Sequence, residues 1–206
     1  VYTLVANHYL DQNPDSKKYS LGLKFIERAA IVFNQLEIRH VAMPYLEHLR
    51  NWSNESINLA IRDHNEVVYI ERMLSDQPLG IRTEIGKRAW VHCTALGKAI
   101  LSRMPEDEAR EILESYPLEA FTVFTMTDVD QIMDDLRLTR QRGFALDNQE
   151  NEMGGCCVAA PILNYKGEPI AAISISVPLP RIPADKIGYF GNKVQEVAEQ
   201  ISERLG

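Results

Sequence analysis

Residues Gly143–Pro178 read GFALDNQENEMGGCCVAAPILNYKGEPIAAISISVP, and this stretch decides the fold. Phe144–Leu146 is a short strand that ends at Asp147, and a polar, glycine-containing loop follows it. Cys157–Leu163 and Ile170–Val177 are β-rich runs. The NYKGE between them supplies the turn formers Asn164 and Gly167, so the pair reads as a β-hairpin. Successive side chains of a strand alternate between its faces. Ala171, Ile173, Ile175 and Val177 form an apolar face that needs a core, and Ile170, Ala172, Ser174 and Ser176 form the other. The Ala-Ser-Ser face is too small to fill space and too polar to bury without partners. Such a face on a central strand lines a pocket for a polar small molecule.

Upstream, Val129, Ile132, Met133 and Leu136 recur at helical spacing behind the cap Thr127-Asp128. Asp128, Asp130, Asp134 and Asp135 lie toward the start of this helix and Arg137, Arg140 and Arg142 toward its end, as the helix dipole favours, and Gly143 stops it. Pro105–Tyr116 and Thr94–Arg103 predict two more helices, and Ile81–Val91 predicts weak short strands around Gly86-Lys87. Ser56–Arg62 and Glu66–Met73 alternate apolar and polar residues about the turn Asp63-His64-Asn65, which makes a hairpin. Before it, Leu23, Ile26, Ala30 and Phe33 mark an amphipathic helix, and the spacing from Ile38 to Trp52 continues to Asn54. Pro44 within that run either kinks the helix or starts a new one. Pro183–Leu205 is a closing helix whose first turns Gly188 and Gly191 weaken. The fold class is α+β.

With 206 residues, 45% hydrophobic and 25% charged, the chain has the composition of a globular protein with one sizeable core. No apolar run approaches the ~20 residues of a membrane span, and no basic-then-apolar leader opens the chain, which starts without Met. A formal charge of −7 does not suit binding to a phosphate backbone. Cys93, Cys156 and Cys157 give an odd count without a C-x-x-C pair, so reduced thiols in a cytoplasmic protein are expected, with no metal and no cofactor.

Asp147-x-x-Glu150, then Gly155-Cys-Cys-Val-Ala-Ala-Pro-Ile162, a hairpin turn, and Ala171-Ala-Ile-Ser-Ile-Ser176 resemble the effector domain of the IclR family of bacterial transcriptional regulators. Thr94–Leu101, TALGKAIL, matches the family's other signature at the expected distance, and the resemblance runs from about Tyr2 to the C-terminus. It implies a GAF/PAS-like domain: a curved antiparallel sheet flanked by helices, with a small-molecule pocket on one side. It also divides the chain. Residues 1–21 would be a remnant of a winged-helix DNA-binding domain, the recognition-helix tail and wing, with Tyr19-Ser-Leu-Gly22 fitting the wing's ending. Residues 22–36 would be a linker helix and 37–206 the effector-binding domain. Read without the resemblance, the first residues are only a helix tail and a surface ribbon.

The resemblance places effector contacts on Asp147, Cys157, Ser174 and Ser176, and on the helix start Thr94, Ala95, Leu96 and Gly97. Read from the residues alone, Leu79 and Ile81, with Trp90, would form an apolar wall over the ligand. Helix starts present unpaired N–H groups and small residues admit a ligand, so a carboxylate could bind there. Thr94 could equally be a plain cap over a packed helix, the serines could bond only backbone or water, and the wall residues could be simple core. Glu150 is expected to be structural, clamping Gly154 and Gly155, with metal ligation as the alternative. The implied partners are a small keto or sugar-derived acid, operator DNA bound through the mostly absent N-terminal domain, and further copies of the chain in a homodimer or homotetramer. Two rival functions remain. One is a thiol-dependent hydrolase or transferase using Cys157 or Cys156 with His92 and Asp147. The other is an oligomerisation domain without a ligand.

Overall fold

A computed structural model describes every residue except Leu79 and Arg82, so the expectation for Leu79 lies outside the described residues. The chain divides into two compact units, Val1–His40 and Val41–Gly206.

The first unit holds helix α1 (Tyr2–Ala6), the antiparallel strands β1 (Leu10–Gln12) and β2 (Tyr19–Leu21), and helix α2 (Lys24–Gln35). Leu10 pairs with Leu21 and Gln12 with Tyr19. Tyr9 meets Phe25 edge to face, with ring centroids 5.3 Å apart. The helix tail and ribbon expected from the sequence are present. Helix α3 (Glu37–Ser53) follows a break at Leu36, whose ψ of 83° is not helical. Pro44 sits inside α3, so the interruption expected at the proline falls eight residues earlier.

The second unit is built on one curved sheet of strands β3 (Ser56–Asp63), β4 (Glu66–Met73), β5 (Arg88–Trp90), β6 (Ala145–Asn148), β7 (Gly155–Leu163) and β8 (Pro169–Pro178). They lie in the order β5-β4-β3-β8-β7-β6 and every pairing is antiparallel. Among the described residues between Ile81 and Val91 only Arg88–Trp90 form a strand, where the sequence predicts weak short strands. Helices α4 (Ala95–Leu101), α5 (Glu106–Glu114), α6 (Val129–Arg142) and α7 (Ile187–Leu205) complete the α+β fold. The closing helix starts at Ile187, behind a separate single turn at Ala184–Lys186.

The two faces of the sheet follow from strand alternation. Ile173, Ile175 and Val177 of β8 and Val158 of β7 are fully buried, and α7, with buried Val194, Val197 and Ile201, packs on these two strands. On the opposite face the registers align Ala60 with Ala172 and Ala145 with Ala159. These small side chains belong to the core that also contains Ala95, Leu96, Ala99 and Ile100 of α4. With only methyl groups on the strands, α4 packs close. Gly97 extends that logic, because a Cβ there would lie 2.3 Å from the Val91 Cα. Asp128 accepts the Gln131 N–H at 2.9 Å to cap α6, and Gly143 ends it at a φ of 86°, which favours glycine.

Candidate functional site

Two residues further along β3, β6, β7 and β8, the alanine layer gives way to polar side chains. Ser176 pairs with Cys157 on one side and Ser56 on the other, Cys157 pairs with Asp147, and Ser174 pairs with Asn58. Asp147, Cys157, Ser176, Ser56, Ser174 and Asn58 therefore form a polar patch across the middle of the sheet. Above part of it opens a cavity of about 250 Å³. Ser174, Ser176, Cys157 and Asp147 form its floor, Thr94, Ala95 and Leu96 one wall, and Ile81, Thr83, Tyr69, Trp90 and Phe121 the rest, with Glu66, Lys87, Arg88 and Glu152 adding charge.

The floor is tied together by hydrogen bonds. Asn58 Nδ2 donates to Ser176 Oγ at 3.1 Å and Ser174 Oγ at 3.4 Å, and Asn58 Oδ1 accepts from the Thr83 hydroxyl at 2.5 Å. Cys157 Sγ donates to Ser176 Oγ at 3.2 Å. Asp147 Oδ1 accepts the Glu150 N–H at 2.8 Å and the Asn151 N–H at 3.3 Å. Burial, reinforced by the nearby Glu150 charge, pushes the Asp147 carboxyl up to about 7. Near neutral pH it therefore exists in both forms, one accepting hydrogen bonds only and one able to donate.

Among the charges on the cavity, Arg88 is engaged by Asp63 at 2.5 Å and Glu66 at 2.6 Å. Behind the wall, Lys98 of α4 is 1% exposed. Its Nζ lies 2.6 Å from Glu150 Oε1 and 2.9 Å from Asp135 Oδ2, the latter a charge contact without hydrogen-bond geometry. Burial works against the Lys98 charge, but the two carboxylates outweigh it and raise its pKa. Burial raises Glu150 as well, against the pull of Lys98. The triad joins α4, α6 and the loop that follows β6.

The family model for "Bacterial transcriptional regulator IclR C-terminal" matches residues 30–203. The chain belongs to the IclR family. The HTH-type transcriptional regulator XynR of Escherichia coli is 36% identical over 204 residues, which cover 99% of this chain and 81% of that protein. The crystal structure of the Thermotoga maritima IclR superposes with a TM-score of 0.87 at 33% identity, covering 100% of this chain and 83% of that one. An IclR homolog from Microbacterium hydrocarbonoxydans, crystallised with 4-hydroxybenzoate, superposes at 0.82 with 27% identity over 99% of this chain and 82% of that one. The chain is thus the ligand-binding C-terminal domain of an IclR-family transcriptional regulator, and its curved antiparallel sheet flanked by helices is the GAF/PAS-like fold. Among the described residues no helix is long and apolar enough to cross a membrane.

Of the site residues expected from the sequence, Ile81, Thr94, Ala95, Leu96, Asp147, Cys157, Ser174 and Ser176 meet at this one cavity. Gly97 stands outside the lining; its N–H is accepted by Thr94 Oγ1 at 3.2 Å, so the cap reading of Thr94 holds. Glu150 engages Lys98 instead of clamping Gly154 and Gly155, and the Gly154 N–H goes to Gln149 Oε1 at 3.2 Å. Among the described residues no cluster of His, Cys, Asp and Glu is placed to hold a metal. His92 is outside the lining: Nε2 meets the Glu119 carbonyl at 3.1 Å and Nδ1 the Tyr116 hydroxyl at 3.3 Å. Burial raises the Cys93, Cys156 and Cys157 thiols above their ordinary value. Sequence reading missed Asn58, Thr83 and Lys98. A signal for Asn58 existed, because Ser56, Asn58 and Ala60 repeat on β3 the small polar face of β8.

Proposed function

We propose that this chain is the effector-sensing and oligomerisation part of an IclR-family regulator, and that the cavity over Ser174 and Ser176 takes a small organic acid, keto or sugar-derived. The observation that carries the reading is the polar floor of buried Asp147, Ser174 and Ser176 with half-buried Cys157, facing open volume. Purely structural packing would put larger apolar side chains there. At about 250 Å³ the space falls below the ~300–1,000 Å³ of clefts for drug-sized ligands, which suits a compact effector. Ile81, Thr94, Ala95 and Leu96 enclose it, and Leu79 and Gly97 belong to the same segments. The chemistry is recognition, without catalysis. The thiols are held protonated, and His92 is already engaged.

In this reading residues 1–21 are the tail and wing of a winged-helix domain, 22–36 the linker helix and 37–206 the effector-binding domain of a cytoplasmic homodimer or homotetramer. Effector occupancy shifts the population of subunit arrangements by its differential affinity for them, and operator binding by the full-length protein changes accordingly. The test is thermal unfolding with pyruvate, gluconate and 4-hydroxybenzoate, for the wild type and the Ser174→Ala/Ser176→Ala double variant. An effector at a hundred times its dissociation constant adds ~2.7 kcal/mol, or roughly 5–11 °C for a chain of this size. A shift present in the wild type and lost in a folded double variant is the expected result. An equal shift in both would remove the effector from this cavity.

A further inference from the structure

The hydroxyls of Ser174 and Ser176 can present either a proton or a lone pair to whatever enters the cavity. Their neighbours decide which. A hydroxyl carries one donor and two acceptor lone pairs. Ser176 Oγ receives Asn58 Nδ2 and Cys157 Sγ, which fills both lone pairs. Ser174 Oγ receives Asn58 Nδ2 as well. Both serines line the cavity, while Asn58, 2% exposed, stands behind them.

The orientation of the Asn58 amide follows from distances. O–H···O bonds run about 2.5–3.0 Å and N–H···O bonds about 2.7–3.2 Å. The contact with Thr83 Oγ1 is 2.5 Å, too short for an amide nitrogen, so Asn58 Oδ1 faces Thr83. The 3.1 Å contact with Ser176 suits Nδ2. The opposite arrangement, with both serines donating to Oδ1, would leave an N–H against Thr83 at an O–H···O length. Among the described residues the Cys157 sulfur competes for the Ser176 proton, and thioether and thiol sulfurs are weak acceptors.

We infer that Asn58, oriented by the Thr83 hydroxyl, is a positioning residue that turns the Ser174 and Ser176 hydroxyls into donors toward the cavity, so that the effector meets β8 with oxygen acceptors. This rests on the reading of the cavity as the effector site, and it narrows the chemistry there. A carboxylate or keto oxygen meets two O–H groups. An ammonium or amide nitrogen would set donor against donor at Ser176, whose lone pairs are both filled, and leave buried groups unpaired. A polyol satisfies the serines only by turning its own hydroxyl oxygens toward them.

The experiment pairs acids with neutral polyols of equal carbon number: pyruvate with glycerol and gluconate with sorbitol, by titration calorimetry. Thr83→Val keeps the shape and frees the amide to turn over, Thr83→Ser restores the hydroxyl, and Asn58→Asp offers the serines acceptors alone. Wild type and Thr83→Ser should bind the better acid more than about tenfold more tightly than its polyol. Thr83→Val should reduce that preference at least about fivefold. Asn58→Asp should abolish acid binding, and Thr83→Val carries the test should Asn58→Asp not fold. Loss of fold affects acid and polyol alike, so the ratio isolates the polarity of the floor, and an unchanged ratio in Thr83→Val overturns the inference. Neutron diffraction of deuterated wild-type crystals decides it independently. Deuterons of Ser174 and Ser176 directed into the cavity support it, and deuterons directed at Asn58 or Cys157 overturn it. If neither acid binds while the deuterons face the cavity, the acid-sensing function fails and the polarity stands.

Discussion

Replacing Lys98 with methionine should destabilise the protein by ~3–5 kcal/mol at pH 8, the cost of breaking a buried ion pair from one side. Methionine is unbranched and adaptable, so it occupies most of the volume of the lysine stem and adds little cavity cost. The loss is therefore electrostatic. Nζ lies 2.6 Å from Glu150 Oε1 and 2.9 Å from Asp135 Oδ2, and without it Glu150 loses its cation while Asp135 keeps only Arg142, 3.6 Å from its Oδ1. For a chain of this size the melting temperature should fall by roughly 6–20 °C. The pH dependence gives a sharper test. Burial already raises the Glu150 carboxyl in the wild type, and loss of Lys98 removes the chief opposing pull. A carboxyl whose folded pKa exceeds its unfolded value of about 4.3 binds more protons when folded, so stability falls as pH rises between the two values. The deficit of Lys98→Met should accordingly be smaller at pH 5.5 than at pH 8. Adding Glu150→Gln should recover part of it. Urea unfolding at both pH values, with the m-value unchanged, measures this. A deficit below ~1 kcal/mol at pH 8, or one equal at both pH values, would refute the reasoning.

Asp147→Asn should raise stability by up to ~4 kcal/mol at pH 8, since a carboxyl moved from 3.8 to about 7 carries roughly three pH units at ~1.36 kcal/mol each. The wild type should lose that stability as pH rises from about 4 to 7, and an identical pH slope for the variant in urea titrations would count against it. Gly97→Ala should cost more in melting temperature than Gly191→Ala. The new methyl meets the Val91 Cα at 2.3 Å in the first case and the Phe144 ring at 2.4 Å in the second, and a ring can move where backbone cannot. Iodoacetamide at pH 7 should modify the native thiols slowly and the unfolded chain's three quickly. One fast native cysteine would revive thiol chemistry at Cys157.

What was legible in the sequence was local. The alternation of β8 and its polar face, the Asp128 cap and the Gly143 stop each depend on neighbours within a few residues. The family motifs added Asp147, Cys157 and the Thr94 turn, and these meet at the cavity. Asn58 was hidden because the apolar face of β3, Ile57 and Leu59, drew the reading while its other face waited for a strand 116 residues away. Lys98 looks like any helix lysine. Its burial depends on Asp135 and Glu150, brought together from two other elements. The Lys98 partner of Glu150 was hidden for the same reason. The break at Leu36 carries neither glycine nor proline, and Pro44, the visible breaker, sits inside a continuing helix.

The adjacency of β3 and β8 has a consequence for the protein's synthesis. The halves β5-β4-β3 and β8-β7-β6 meet along that single seam. Asn58 leaves the ribosome 116 residues ahead of Ser174, or roughly 6–23 s at ~5–20 residues per second. Hairpins form in ~1–10 μs, so β3 and β4 can pair long before the seam exists, leaving the other edge of β3 open. When β3 and β4 pair, Asn58 has no serine partners yet, and the cavity floor of Asp147, Cys157, Ser174 and Ser176 has still to be translated. The last strand of the sheet to emerge is inserted at its middle, so the nascent chain completes its sheet and its ligand cavity in the same event.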